Sequence, residues 1–454
     1  MSTFAITTPI SSLRFQMKQT AQGGSVFVKN AVVAYVLTAS SFSKITDADY
    51  PSSTVPGLVY LDDYMFVQKT TGEIVNSANG DTSSWNALSF ITPEKEPSNA
   101  VAIAKSLNYL VAFKEWDTEF FEDAGFAAPA SPLEPTQSAY LKLGCAAADS
   151  IVEFDGGIVF MSKRDQLQRS REIHVLQGLT PKKISNENVE TLLNADGLTT
   201  TYACYLATAG HQLYSLTLKE TSTTIVYDFN NGFWYEWSFL TAKTSTAVSG
   251  LTADGLTATA IQSSHGFADG DPVTIGGAVQ GAYNGTFAIN LVDANTYTYP
   301  VTSSPVSPAT GTITSVAYTE SYFPAVNYAA YQNLDLVLHE TNGIIYSLDP
   351  NAFQDNQVPI NVHIRLSSWD GGNARIKTIS RLRAIGDRVD ADLLVRYSDN
   401  DQSSYSAYRR MDLSQESAQL TRLGSTRRRV YELRHTDNTA LRLQELEQDE
   451  KQGR

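Results

Sequence analysis

The sequence predicts an all-β protein. Short segments with alternating apolar and polar residues recur along most of the chain, and turn residues such as Asp-Asp, Asp-Gly-Gly and Asn-Asn-Gly separate them. Groups of three or four such segments are spaced roughly 40 to 50 residues apart, as in the blades of a β-propeller. An antiparallel sandwich, with strands about every 8 to 12 residues, is the alternative. We therefore predict a β-propeller-like body.

The strand groups follow one another with turns at predictable places. Residues 83–91 end one group, and 99–104 begin the next. Tight turns are predicted at Asp62-Asp63, 155–157, 230–232 and Asn342-Gly343. One helix interrupts the pattern at 185–194, where Ser185 is the predicted N-cap and Glu187 lies in the first turn, favoured by the helix dipole.

Residues 245–318 differ from the rest of the body. They are rich in Thr, Ala, Gly and Ser, contain no Lys or Arg, and alternate like strands. We expect a small inserted β domain that projects outward from a surface loop. Phe287 is assigned to its core, whereas Tyr283, Tyr297 and Tyr299 are predicted to form an insert-domain surface or fibre contact.

After Pro359 long alternating strands with Arg on the polar face predict a C-terminal antiparallel β-sandwich. The predicted organisation is therefore an N-terminal arm at 1–23 and a propeller-like body at 24–244 and 319–358. The inserted domain occupies 245–318, the sandwich 359–448, and a flexible tail 449–454.

Charge is distributed unevenly along the chain. Residues 1–358 carry 17 Lys or Arg against 34 Asp or Glu, whereas 359–448 carry 15 against 12. An acidic body is favourable for solubility and repels nucleic acid. Arg427, Arg428 and Arg429 are predicted to pair with carboxylates at a subunit interface, because the guanidinium fork binds carboxylates bidentately. A solvated arginine face is the alternative.

No residue pattern predicts a catalytic, cofactor-binding or metal site. The six histidines occur without HExxH or Ser/His/Asp spacing, and Cys145 and Cys204 lie in apolar stretches without metal-ligand spacing. The carboxylates at 115–123 are interpreted as an acidic edge in preference to a glycosidase pair. No run approaches the roughly 18 apolar residues of a membrane span, and no signal peptide is recognised, so we expect synthesis in the cytoplasm.

Five segments in order resemble one family. They are DTSSWNALSFITPEKEPSNAVAI, LVAFKEWDTEFFEDAG, LGCAAADSI, IVYDFNNGFWYEW and RRRVYELRHTDNTALRLQELE. The chain, over about residues 30–448 apart from the insertion, is similar to the tail accessory, or packaged-DNA stabilisation, proteins of short-tailed bacteriophages. Members of this family usually have a longer N-terminal region than this chain, and the inserted domain is not general among them.

The resemblance implies a structural virion protein without enzymatic activity or cofactor. It implies a homohexameric ring that forms the tail nozzle below the portal-adaptor ring, retains the packaged genome and conducts DNA at ejection without sequence-specific binding. Tail fibres or spikes, a tail needle or plug, and the host envelope are the further implied partners. We expect the acidic surplus to line part of the channel and the Arg-rich sandwich to face protein neighbours. A tail-associated polysaccharide-binding or -degrading protein is the alternative.

Overall fold

The chain is almost entirely β-structure in a computed structural model that describes residues 16–19, 25–38, 41–164, 170–356 and 358–452. Within these residues one α-helix occurs, Glu187–Ala195, with 3-10 helices at Ala148–Ser150 and Gly281–Tyr283. The chain forms two compact units, each made of two segments. Unit 1 contains 1–237 and 322–348, and unit 2 contains 238–321 and 349–454. The predicted all-β fold class is confirmed.

Six antiparallel sheets follow one another along the described part of unit 1, and we number them blades 1 to 6 in chain order. Blades 1, 2 and 3 have four strands each, blade 4 has five and blade 6 has three, whereas blade 5 consists of the first four strands of an 8-stranded sheet. Blade 1 comprises Gln16–Gln19, Val26–Lys29, Ala34–Leu37 and Phe42–Lys44, and blade 2 comprises Val59–Leu61, Tyr64–Gln68, Ile74–Ala78 and Asp81–Ile91. Blade 3 comprises Ala100–Ser106, Tyr109–Lys114, Thr118–Asp123 and Leu133–Leu141, and blade 4 comprises Gly144–Cys145, Val152–Phe154, Gly157–Lys163, Arg171–Gln177 and Thr180–Lys183. Blade 5 comprises Tyr202–Thr208, His211–Leu218, Thr223–Asp228 and Phe233–Ala242, and blade 6 comprises Ala325–Tyr331, Leu334–His339 and Ile345–Leu348.

Side chains of a strand point alternately to the two faces of its blade and pack against the two neighbouring blades. In strand Tyr109–Lys114 of blade 3, Leu110 and Ala112 pack with blade 2, whereas Val111 and Phe113 pack with blade 4. Successive side chains point to opposite faces of a sheet, so a blade between two others buries both faces. Five such cores join consecutive blades from blade 1 to blade 6. This arrangement confirms the propeller-like body.

Local sequence explains where the strands turn. Asp62 and Asp63 have φ angles of 46° and 65°, which suits a two-residue hairpin turn of type I′. Strand Asp81–Ile91 ends blade 2 and strand Ala100–Ser106 begins blade 3, as the repeat predicted. The helix is capped by Asn186, whose side chain accepts a hydrogen bond from Val189 N at 3.0 Å, so the prediction of Ser185 as N-cap is wrong by one residue.

The inserted segment of unit 2 forms two small sheets around one core. This segment is 238–321, and its first five residues, 238–242, end the last strand of blade 5. We call 243–321 the module; the predicted boundaries, 245 and 318, lie within it. One sheet comprises Gly250–Asp254, Thr257–Ile261, Asn290–Asp293 and Thr296–Pro300. The other contains Thr246–Ala247, Pro272–Ala278, Gly285–Ala288 and Gly311–Tyr322. Their inner faces enclose apolar side chains that include Val273, Ile275 and Ile289.

The C-terminal segment of unit 2 is a sandwich of two antiparallel sheets, as its alternating strands predicted. The first sheet comprises Val362–Arg365, Asp392–Ser398, Arg409–Asp412 and Val430–His435. The second comprises Lys377–Gly386, Gln419–Thr421, Ser425–Thr426 and Leu443–Gln452. Leu382, Leu393 and Leu433 are among the side chains buried between them. A short hairpin, Gln354–Asp355 with Val358–Pro359, precedes the sandwich.

The two ends of the chain contain more strand than expected. Residues 16–19, within the predicted N-terminal arm, pair with Val26–Lys29 in blade 1. The rest of the predicted arm, apart from that strand, lies outside the described residues. Residues 449–452, predicted as part of a flexible tail, continue strand Leu443–Gln452 and pair with strand Lys377–Gly386.

Candidate interaction surfaces

Blade 6 buries only one of its two faces. Val337, Tyr346 and Leu348 pack into the core shared with blade 5. The opposite face is solvent-exposed and carries Leu338 and Ile345, and Ile345 is 62% exposed. No buried hydrophobic cluster of the described residues joins blade 6 to blade 1. Such an exposed apolar face is typical of a surface that another chain covers.

The outer strand of blade 6 is also an open edge. Among the described residues, strand Ile345–Leu348 pairs only with strand Leu334–His339, and the chain then continues through Asp349 and Pro350 into unit 2. A free edge presents unpaired backbone N–H and C=O groups to which a strand from another chain can pair. The sequence signal for this surface is the Asp349-Pro350 stop directly after the third strand.

Residues from all six blades, in one strand of each blade or in the segment just before it, line a cavity of about 440 Å³ in unit 1. An ion pair between Lys18 Nζ of blade 1 and Glu153 Oε2 of blade 4, at 2.7 Å, lies in its wall. Cys204 of blade 5 also contributes, and burial raises the pKa of its thiol to about 12, so this sulfur is a protonated core group. Across the residues described, no group of three or more His, Cys, Asp or Glu could hold a metal ion.

The acidic segment 115–123 does not form an opposed pair of carboxylates in a cleft. Lys114 Nζ lies 3.1 Å from Asp117 Oδ2 and 3.0 Å from Glu119 Oε1, and all three side chains are buried. Glu115 Oε1 pairs with Lys163 Nζ at 2.9 Å. These carboxylates neutralise lysines within blades 3 and 4, which is a structural arrangement and not the solvated edge expected from the sequence.

The three consecutive arginines have different environments. Arg429 is buried and forms two hydrogen bonds with the carboxylate of Asp399 in the same chain. Arg428 is exposed and pairs with Asp401 at 2.8 Å, whereas Arg427 is exposed without an ion pair among the described residues. The structure therefore leaves Arg427 and Arg428, but not Arg429, at the surface.

The predicted surface role of the module tyrosines is wrong. Tyr283, Tyr297 and Tyr299 are completely buried in the module core. Tyr297 donates to Gln262 Oε1 at 3.1 Å, and Tyr299 donates to Tyr283 O at 3.1 Å. Two facing sheets enclose these rings, and each hydroxyl finds a partner inside, as buried tyrosines require. Phe287, the expected core residue, packs against this cluster with its ring 4.6 Å from that of Tyr299.

Within unit 2 the module packs directly against the sandwich. The Arg396 guanidinium lies between Asp269 of the module and the buried Glu432 of the sandwich, 2.9 Å from Glu432 Oε1. Tyr408 N donates to Asn290 Oδ1 at 2.7 Å, and Tyr408 OH donates to Glu432 Oε1 at 2.6 Å. The module is thus not free-standing.

Glu432 is the charged centre of this contact. Burial alone would raise the pKa of the Glu432 carboxyl, but hydrogen bonds from His363 and Tyr408, together with the positive charge of Arg396, hold that pKa well below its usual range. The carboxylate therefore stays ionised at neutral pH and fixes the strands that carry its partners. Glu432 organises structure, since its partners surround it and leave it unexposed.

Comparison with known proteins identifies the family. The model of the family described as bacteriophage P22 Gp10, beta-propeller, matches residues 7–253, more than half of the chain. The chain belongs to this family. It is therefore a structural protein of a bacteriophage, and members of its family are virion proteins. The described part of blades 1 to 5, which line the 440 Å³ cavity together with blade 6, lies within the match.

Similarity to solved structures is low. BamB from Moraxella catarrhalis is 9% identical, with 73% of this chain and 92% of that chain covered, at a TM-score of 0.28. The dihydro-heme d1 dehydrogenase NirN is 11% identical, with 66% of each chain covered, at 0.32. The computationally designed Ika8 protein is 11% identical, with 73% and 81% covered, at 0.32. Curated proteins gave no match.

One further feature concerns membranes. No helix in the described part of the chain is both long and apolar enough to cross a bilayer.

Proposed function

We propose that this protein is the subunit of a ring-shaped tail nozzle of a short-tailed phage. The ring lies below the portal and adaptor, extends the DNA channel, retains the packaged genome and conducts DNA at ejection. Membership of the phage family supports a structural role in the virion. The observation that carries the proposal is the apolar face and open edge of blade 6, which need a cover that the described residues do not supply.

A homo-oligomer satisfies this requirement most simply. Burial of apolar surface contributes about 25 cal/mol per Å², so covering the Leu338 and Ile345 face favours association. Closed rings arise when the same pair of different surfaces meets around an axis. We infer a ring of six subunits from the family resemblance described above.

The other proposed partners follow from that place in the virion. The portal-adaptor ring lies above the nozzle, tail fibres or spikes and a tail needle or plug attach to it, and the host envelope is contacted during infection. DNA passes through the channel without sequence-specific binding. The acidic surplus of residues 1–358 supports this, because a wall poor in Lys and Arg neither binds phosphates nor slows their passage.

The test uses the full-length protein and its adaptor ring. We expect the wild type to form a hexameric ring by sedimentation velocity and mass photometry, and to bind the adaptor ring. The double variant Leu338→Glu/Ile345→Glu should remain monomeric because it places charge on the blade 6 face. Val279→Glu, at an exposed apolar position of the module, is the matched control and should form rings normally.

Two results would contradict the proposal. A wild type that stays monomeric with and without the adaptor ring would remove the nozzle role. Rings of unchanged stability in the blade 6 variant would show that this face is not a subunit contact.

A further inference from the structure

One end of the sandwich is held together by a buried lysine. Lys377 Nζ donates to the carbonyl oxygens of Asn373 at 2.6 Å, Arg375 at 3.0 Å and Arg427 at 3.4 Å. These bonds tie the loop that precedes strand Lys377–Gly386 to the arginine run that precedes strand Val430–His435. As a result, the backbones of Arg375 and Arg427, which are distant in sequence, approach the same ammonium group.

Positive charge at this end exceeds the negative charge around it. Asp399 is used by the buried Arg429, and Asp401 pairs with the exposed Arg428. No carboxylate of the described residues lies within ion-pair distance of Arg375 or Arg427. Lys377 adds a further charge, which contacts backbone carbonyls and lies 5.6 Å from the centre of the Trp369 ring but pairs with no carboxylate of the described residues. Two exposed guanidinium groups are therefore available to an outside partner.

An apolar residue lies between these charges. Ile376 follows Arg375 directly and is 50% exposed. An apolar side chain bordered by arginines is typical of protein interfaces, where Arg is enriched and a small apolar centre is surrounded by polar groups. The phosphate backbone of a nucleic acid offers no apolar surface against which this isoleucine could pack. The combination of arginines and Ile376 therefore favours a protein partner. We call Arg375, Ile376, Arg427 and Arg428 the basic end.

We propose that the basic end is a docking surface for the acidic propeller surface of a second copy of this chain. The inference rests on the proposed ring. Charge complementarity carries it, because the propeller segments 1–237 and 322–348 contain 27 acidic against 16 basic side chains, whereas the sandwich has a basic surplus. Each guanidinium can bind a carboxylate through two parallel hydrogen bonds, and Ile376 is covered in the same contact.

The test compares charge reversal at the two ends of the sandwich. The variant Arg375→Glu/Arg427→Glu changes exposed side chains only, so its far-UV circular dichroism and thermal midpoint should match the wild type. The matched control is Arg442→Glu, an exposed arginine beside Gly386 at the opposite end of strand Lys377–Gly386. We expect the double variant to raise the dissociation constant of the ring about tenfold in low salt, equivalent to about 1.4 kcal/mol. The control should leave it unchanged.

Three outcomes separate the explanations. Rings in the wild type that persist unchanged in the double variant would overturn the inference while leaving the proposed function intact. A monomeric wild type would remove the proposed function and this inference together. The inference is also overturned if a 20-base-pair DNA duplex binds the wild type, but not the double variant, in fluorescence anisotropy while the rings are unaffected, since the basic end would then be a phosphate site.

Discussion

Arg429 and Asp399 form a bidentate pair in which the two partners are buried to very different extents. The Nε–Oδ1 and Nη2–Oδ2 distances are both 2.7 Å. Arg429 is 1% exposed, whereas Asp399 is 36% exposed. The guanidinium also lies 3.7 Å from the Tyr397 ring and donates to Leu423 O at 2.9 Å. Removing Asp399 therefore leaves a buried guanidinium without a counter-charge, whereas removing Arg429 leaves a partly exposed carboxylate without one.

We expect Asp399→Ala to destabilise the sandwich more than Arg429→Met. Loss of Asp399 leaves a buried guanidinium without a counter-charge, which costs about 3–5 kcal/mol. Loss of Arg429 leaves a carboxylate that water can still reach, and the cost should be about 1–2 kcal/mol. Urea denaturation of both variants measures the order. The reverse order would mean that the packing of Arg429 on Tyr397 outweighs its charge.

His174 should make stability depend on pH below neutrality. Burial lowers its pKa to about 4, and His174 Nδ1 lies 2.9 Å from Ser162 Oγ, with Glu172, Lys183, Arg164 and Glu190 the charged groups that influence it. The folded state favours the neutral ring. Its stabilising effect is therefore complete above the unfolded pKa of about 6.5 and is lost as pH falls from there towards 4.

We expect His174→Gln to flatten the dependence of the thermal midpoint on pH between about 6.5 and 4. Above pH 7 the slope should not change, because the wild-type ring is already neutral there. An identical slope in wild type and variant below pH 6.5 would assign the acid sensitivity to other groups.

The buried tyrosines of the module lead to a graded prediction. Tyr297→Phe removes one hydrogen bond to Gln262, which keeps its bond from Ser315 Oγ at 2.7 Å, so the cost should be about 1 kcal/mol. Tyr297→Ala should cost about 3–5 kcal/mol because it opens a cavity. Limited proteolysis of the module measures both, with the exposed Val279→Ala as control. Loss of infectivity in a stably folded Tyr297→Phe variant would restore a contact role to this residue.

Replacing 246–317 with a Gly/Ser linker should destabilise the sandwich. The deletion uncovers Leu394 and Tyr408 and removes Asp269 from Arg396, which is itself buried. Asp269→Asn, which keeps the module and removes only the charge, should have a smaller effect. Hydrogen exchange of strands Asp392–Ser398 and Arg409–Asp412 reports the change. Unaltered protection after the deletion would show that the sandwich is stable without its cover.

The alternation of apolar residues and the positions of turn-forming residues predicted the strands well, because both signals are local in the sequence. The turns at Asp62-Asp63 and Asn342-Gly343 and the change of blade at 91–100 all occur where the sequence placed them. The helix cap was missed because Ser185 and Asn186 are both good capping residues and one residue separates them. Ser185 instead donates to Glu190 Oε1 at 2.9 Å.

Contacts between distant segments were not predictable from one sequence. Alternation places Tyr297 and Tyr299 on one face of a strand, but only the position of the second sheet determines that this face is inside. Arg429 is surrounded by residues of other strands, so its partner Asp399 cannot be read from the run of arginines. The approach of Arg375 to Arg427 depends likewise on Lys377, whose three carbonyl partners come from two loops.

The division of each unit into two chain segments has a consequence for synthesis on the ribosome. Blades 1 to 5 emerge first, but blade 6 follows only after residues 238–321 have been translated. At about 5–20 residues per second this takes roughly 4–17 s. During that interval the blade 5 side chains Leu206 and Val226, which later contact blade 6, remain uncovered on the nascent chain. Rare codons within 238–321 would lengthen this exposure and should increase the need for chaperones during expression.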